Sequence, residues 1–136
     1  MYVKDFDSWN KKKKDLDRSL PIGKQKKQTY FNEREIWWAY IGQNIGFEVC
    51  GKGDYSTRPV LIIKKFSQDS AIIVPLSTKS GKADYFFSLG KVDKVDAYAS
   101  ISQLRVIDTR RLIIKIESCE NSMFLQVKKK LQEFFL

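Results

Sequence analysis

The sequence predicts a mainly β protein, β-rich α+β in class, in which a short antiparallel sheet curls into a small barrel flanked by an amphipathic helix at either end. Three observations predict it. From Glu35 onward, runs rich in Ile, Val and aromatic residues follow one another, each bounded by Gly, Asp, Ser or Lys clusters, as strands are. The gaps between them leave no room for crossover helices, so the pairing should be mostly antiparallel. The two ends of the chain, by contrast, carry apolar residues at helical spacing.

The first segment places Val3, Phe6, Trp9, Leu16 and Leu20 among lysines, a short amphipathic helix that Pro21 and Gly23 stop. "GKQKKQTYFNER" then reads as a polar linker. Residues 1–32 are thus expected to form a helix and basic linker, and residues 33–136 the barrel domain with its terminal helix. A helix this short buries no core of its own and should pack on the body or on a partner. The strand-like runs are "EIWWAYI", "RPVLIIKKF", "SAIIVPL", "DYFFSL", "AYASISQLRVI" and "RLIIKI". Pro59 opens its strand, where a missing donor does least harm, and Pro75 implies a bulge or an edge position. In the closing segment Phe124, Val127, Leu131 and Phe134 recur on one helical face, with Lys128, Lys129 and Lys130 elsewhere on the wheel and Asn121 or Ser122 placed to cap the start.

Composition bounds the function. The 136 residues are 43% hydrophobic, with nine Phe, six Tyr and three Trp, enough for one folded core. No apolar run approaches the roughly 20 residues of a membrane span, and the N-terminus has no apolar stretch of export-signal type. A cytoplasmic setting with reduced thiols is expected for the two cysteines, Cys50 and Cys119, which are too few and too far apart for a zinc site. With no histidine in the chain, no metal and no cofactor is expected. Lys and Arg total 25 against 16 Asp and Glu, a net charge of +9, which favours an anionic partner: nucleic acid first, an acidic protein second, a membrane surface third. Residues 1–34 hold ten basic and five acidic side chains, so the body itself is only mildly basic.

Chemistry concentrates in two stretches. In "GKGDYSTRPVLIIKK", Gly51 and Gly53 let a loop turn sharply and Pro59 fixes the backbone after Arg58. Arg58 is then either a pre-oriented fork for phosphate oxygens or a structural arginine paired with Asp54 or Glu48. In "VPLSTKSGK", Ser77 and Thr78 precede Lys79 and a glycine turn, either an anion-presenting loop or an ordinary capped turn. Only "SQD" separates the two strands involved, so they should form a hairpin that brings Arg58 to Ser77 and Thr78 at one end of the sheet. In "SISQLRVIDTRRL", Gln103 and Arg105 alternate with apolar neighbours, and Arg105, Arg110 and Arg111 supply a basic rim that Asp108 partly neutralises.

Taken in order, "EIWWAYIGQNIGFE…RPVLII", "IIVPLSTK" and "SQLRVIDTRRL" resemble the MazF/PemK family of toxin endoribonucleases over roughly residues 33–117. The resemblance implies an SH3-like antiparallel barrel, a homodimer, and metal-independent cleavage of single-stranded RNA by a toxin that a cognate antitoxin restrains. Arg58 matches the family's catalytic arginine, Ser77 falls where a catalytic threonine is usual, Thr78 follows it, and Glu48 matches an acidic loop residue. Lys52, Thr57, Lys79, Gln103 and Arg105 are the positions around these that would bind substrate. Ser77 keeps the hydroxyl but lacks the methyl that restricts a threonine rotamer. The loop between Glu48 and Arg58 is longer than in compact members, Ser102 stands where an acidic residue is frequent, and residues 1–32 lie outside the family core.

RNA carries its own nucleophile in the 2′-OH, so the protein need only assist its deprotonation and stabilise phosphorane charge. An arginine is a poor base, which gives Arg58 the charge-stabilising role and leaves Glu48 as the nearby carboxylate nominated for the proton. Trp38, Tyr55 and Phe47 are candidates for stacking on unpaired bases, although Trp37, Trp38 and Tyr40 alternate and some must be core. The alternative class binds without cutting: a gyrase poison of the CcdB type, or a nucleic-acid-binding barrel.

Overall fold

The computed structural model describes residues 3–19, 30–53, 56–81 and 84–136. Helix α1 (Phe6–Arg18) precedes strands β1 (Glu35–Tyr40), β2 (Thr57–Lys65), β3 (Ser70–Ser77), β4 (Phe86–Val92), β5 (Val95–Ser100), β6 (Arg105–Asp108) and β7 (Leu112–Ser118), and helix α2 (Asn121–Phe135) follows. All pairings are antiparallel, in the order β4-β5-β3-β2-β1-β7, with β6 also on β3. The sheet curls into a half-barrel because β3 changes neighbours along its length. Its first half, Ser70 to Ile73, pairs with β6, and its end, Leu76 and Ser77, pairs with β5.

That exchange corrects the expectation of one continuous strand over "AYASISQLRVI". The chain leaves β5 at one end of β3 and must reach the other, and a 3-10 turn, Ile101–Gln103, makes the step. Ile101 is fully buried, and its amide donates to the Tyr85 carbonyl at 2.7 Å. The same exchange explains Pro75, which sits neither at a bulge nor on an edge strand. It faces Val60 of β2, and on its other side Val74 and Pro75 fall in the interval between the β6-paired and β5-paired segments. A missing ladder donor costs least there.

The aliphatic run of β2 is buried on both faces. Val60 and Ile62 join Phe31, Trp37, Ile73 and Ile107 in one apolar cluster, while Leu61 and Ile63 join the other. That second cluster is where α2 inserts Phe124, Val127 and Leu131. A strand covered on both sides loses polar alternation. Phe134, expected on the same buried stripe, instead packs edge-on against Tyr85 with ring centroids 5.8 Å apart and stays partly exposed. Neither Asn121 nor Ser122 caps α2: both lie inside the helix, and the capping residue is Glu120, whose side chain makes no cap bond.

Helix α1 forms as expected and is capped by Asp5, which accepts from the Ser8 amide at 3.0 Å. Its apolar stripe is not buried as a whole. Trp9 is buried and Leu16 partly so, whereas Val3 and Phe6 are exposed and Leu20 lies outside the described residues. Cys50 and Cys119 are both free thiols, Cys50 in the β1–β2 loop and Cys119 in the core beneath α2, where burial raises its pKa.

Candidate active site

The β2–β3 hairpin sets Val60 opposite Pro75, and continuing that register places Arg58 across from Ser77. The side chains follow the backbone. Arg58 donates from Nη1 to the Leu76 carbonyl at 3.2 Å, tying the start of β2 to the end of β3. Its Nε donates to the Cys50 carbonyl at 2.9 Å, tying it to the loop that returns from β1. The loop is closed from below by a two-way backbone bridge between Lys52 and Thr57, at 2.8 and 3.0 Å. Gly51 is required at the crossing, since a Cβ there would come 1.8 Å from the Ser56 carbonyl oxygen.

Arg58, Ser77, Thr78, Lys52 and Thr57 all line one pocket of about 430 Å³. Trp38 supplies an aromatic wall, 39% exposed, while its neighbour Trp37 belongs to the core. Ser77 Oγ accepts from the Lys79 amide at 3.2 Å, which fixes the hydroxyl at the head of the following turn. Thr78 and Lys79 are exposed on that turn. The pocket therefore joins Arg58, Lys52 and the Ser77 and Thr78 hydroxyls to apolar residues, with Asp93 and Asp96 also on its lining.

Glu48, Gln103 and Arg105 are gathered elsewhere, around a second pocket of about 320 Å³ shared with Asn44 and Ser102. The Glu48 carboxylate does not face Arg58; it accepts from the Ile45 amide at 3.0 Å and closes its own loop. The side chain of Gln103 is occupied by backbone. It donates to the Phe47 carbonyl and accepts from the Val49 amide, both at 3.1 Å, so it clamps the loop rather than projecting toward a ligand. Burial pulls the Arg105 pKa down, and the Glu48 charge opposes the fall. Arg111 is lowered likewise by burial and then by repulsion from Arg105, with its guanidinium donating to the Tyr40 carbonyl at 3.1 Å. Arg110 is bound to Asp108 at 3.1 Å, the neutralisation expected for one of the three rim arginines. Of the stacking candidates, Phe47 is fully exposed at the loop tip, and Tyr55, like Asp54, lies outside the described residues.

Sequence reasoning missed one wall of the first pocket, the β4–β5 hairpin, which contributes Val92, Asp93, Val95, Asp96 and Ala97. Its signal was present in "VDKV". Asp93 and Lys94 both take positive φ, 47° and 67°, between the paired Val92 and Val95, the backbone of a two-residue type I′ turn. The Cys50 carbonyl that holds Arg58 was invisible because backbone acceptors have no residue signature. Among the described residues no group of three or more His, Cys, Asp or Glu sits together as a metal site. Among the described residues, likewise, no helix is long and apolar enough to cross a membrane.

Solved structures show the same fold at low sequence identity. MazF from Deinococcus radiodurans superposes with a TM-score of 0.62 at 14% identity, over 77% of this chain and 96% of that one. The Mycobacterium tuberculosis toxin MazF-mt6 gives 0.57 at 16% identity, over 75% and 96%. A mycobacterial endoribonuclease solved with its cognate antitoxin gives 0.56 at 11% identity, over 75% and 91%. No curated protein sequence matches the chain. The family model described as the PemK-like, MazF-like toxin of type II toxin–antitoxin systems matches residues 32–135. The chain belongs to that toxin family.

Proposed function

We propose that this toxin is an endoribonuclease that cuts single-stranded RNA through the 2′-OH without a metal ion, acting as a homodimer restrained by a cognate antitoxin. Residues 33–136 would form the catalytic barrel and residues 1–32 an accessory segment. The observation that carries the proposal is the meeting of Arg58 and Ser77 across the β2–β3 register at the lip of a pocket walled by Trp38. A guanidinium, a hydroxyl and an aromatic face at one opening suit a phosphate flanked by an unpaired base.

In this mechanism the 2′-hydroxyl gives its proton to solvent water as its oxygen attacks the adjacent phosphorus, and the 5′-oxygen departs and takes a proton from water, leaving a 2′,3′-cyclic phosphate and a 5′-hydroxyl. Arg58 stabilises the negative charge that builds on the phosphorane, because a guanidinium donates and does not accept a proton near neutrality. The Ser77 hydroxyl hydrogen-bonds a phosphate oxygen, while the Lys79 amide holds its Oγ in place. Lys52, Thr57, Thr78 and Lys79 bind the flanking backbone. Glu48 and Arg105, on the neighbouring pocket, act on an adjoining nucleotide, and Gln103 supports them by fixing their loop. This moves Glu48 away from the base role, since its carboxylate caps the Ile45 amide and the Arg58 pocket is lined without it.

Purified protein incubated with RNA in EDTA tests the proposal. Cutting at a short defined sequence with cyclic-phosphate ends supports it. An uncut RNA bound tightly and released by salt would make the chain a binding barrel instead.

A further inference from the structure

The segment that precedes the family's territory grips the active-site loop. Trp9 is buried although the rest of its helix is largely exposed. Its indole packs against Gly42, where φ is +88° and an added Cβ would sit 2.0 Å from Trp9 Cε2. Lys4 Nζ donates to the Asn44 carbonyl of the same loop. Lys12 Nζ stands 4.4 Å from the Tyr40 ring centroid, at the strand end from which the loop departs. Arg111 packs its guanidinium 5.6 Å from the Trp9 ring, and Arg110 donates to the Asp17 carbonyl at 2.7 Å, which fixes the far end of the helix.

The residue under Trp9 is also the one that joins the two limbs of the loop. The Gly42 amide donates to the Ser56 carbonyl at 3.0 Å, and the Gly42 carbonyl accepts from the Gly51 amide at 2.8 Å. One residue from Gly51 is Cys50, whose carbonyl holds Arg58 Nε at 2.9 Å. Four residues of the loop, Gly42, Gly46, Gly53 and Ser56, take positive φ, and two of its cross-bonds run through the residue that Trp9 covers.

We infer that α1 is a positioning element of the active site, in which Trp9 acts through Gly42, Gly51 and Cys50 to hold the Arg58 guanidinium in its working orientation. The inference rests on the ribonuclease function proposed above for its catalytic consequence, but its structural half stands apart. Trp9 touches no reacting atom, so it is a positioning residue and not a catalytic one.

The experiment compares full-length wild type, Trp9→Ala and Trp9→Phe by hydrogen exchange and by cleavage of one RNA substrate. In Trp9→Ala the Ile41, Gly42 and Gly51 amides should exchange about tenfold faster or more, with core amides such as that of Ile73 unchanged. Single-turnover kcat should fall by about tenfold while KM changes little, because only charge stabilisation in the transition state is misaligned. Trp9→Phe should recover most of both. If Trp9→Ala does not accumulate, Lys4→Gln with Lys12→Gln loosens the same contact and should show the same pattern more weakly. Loop amides that stay protected while the α1 amides are released would overturn the inference. So would equal acceleration of the Ile73 amide, which would make Trp9 a general stabiliser. A wild type that cuts no RNA, with the loop still loosened by Trp9→Ala, would sink the ribonuclease function and leave the coupling of α1 to the loop intact.

Discussion

Replacing Arg58 by lysine keeps the charge and removes the fork, which makes it the sharpest test of the site. The guanidinium reaches the Cys50 carbonyl through Nε at 2.9 Å and the Leu76 carbonyl through Nη1 at 3.2 Å. An ammonium is a point donor on a flexible stem and cannot span both carbonyls in one plane. Loss of one or both partly buried bonds should cost about 1–3 kcal/mol of stability, a fall of several degrees in Tm. The catalytic loss should be larger, because a displaced donor no longer meets the oxygen on which charge develops. Arg58→Lys should cut roughly 10²-fold more slowly and Arg58→Ala roughly 10³-fold, from the typical value of one preorganised donor. The assay is single-turnover cleavage of a short RNA in EDTA, at a temperature where circular dichroism shows all three proteins folded. A lysine variant as fast as wild type would refute the argument, since it would show that fork geometry is irrelevant. An alanine variant whose rate loss vanishes once folding is restored would make Arg58 a structural tether.

Ser77→Ala should lower kcat by about 10²-fold, and Ser77→Thr should retain activity because the hydroxyl that accepts from the Lys79 amide is kept. Trp38→Ala, at a wall that is 39% exposed, should leave the melting temperature nearly unchanged while weakening RNA binding by about 1–3 kcal/mol, read as a rise in Kd. Val127→Ala, at a fully buried α2 position, should cost about 2 kcal/mol in urea unfolding without changing the single-turnover rate of the folded fraction. Glu35 links stability to pH. Burial pushes its pKa up, but hydrogen bonds from the Trp37 indole and the Asn32 amide and the nearby Lys115 charge more than offset this, so the net direction is down from 4.5. A lowered carboxylate pKa stabilises the fold above 4.5 and is lost as pH falls through the folded value. The stability difference between wild type and Glu35→Gln should therefore be present at neutral pH and shrink toward zero in acid, as measured by denaturant titration across pH.

What the sequence made legible was whatever depends on short range. The short turn between two strands announces a hairpin, and so the end of the sheet at which Arg58 meets Ser77 and Thr78; the one-residue register shift between Ile62 and Lys64 that sets Arg58 opposite Ser77 has no signal in the sequence. The aliphatic stretch of β2 announced a buried strand. Its two-sided burial could not be read from it, because cover by α2 depends on residues some 60 positions away. The division of "AYASISQLRVI" was hidden for a similar reason: each half is a sound strand, and only the exchange of neighbours on β3 forces the break. Gln103 shows the limit most clearly. Its alternation with Leu104 marks a half-buried face, which does not reveal that its partners are the Phe47 carbonyl and the Val49 amide, backbone groups that carry no residue signature. Helix α1 was legible as a helix but not in its docking, since the decisive feature is a missing side chain at Gly42.

The loop over residues 41–56 is where these separate facts meet. Gln103 clamps its tip, Arg58 holds its return through Cys50, and α1 presses on its departure at Gly42. Both pockets border it, one through Lys52 and Gly53 and the other through Asn44, Glu48 and Val49. A chain without histidine has no side chain whose unperturbed pKa lies near neutrality, so its chemistry must come from where fixed charges stand. Fixed charges demand a fixed frame, and here the loop's own cross-bonds at Gly42, Gly51, Lys52 and Thr57 are joined by contacts from Gln103 and α1. The longer the loop, the more ordering entropy the clamps must offset. An appended helix that packs a tryptophan onto Gly42, which bonds to both Gly51 and Ser56, meets that requirement. It also explains why Trp9 is buried in a helix whose Phe6 remains in solvent and whose Leu16 is only partly covered.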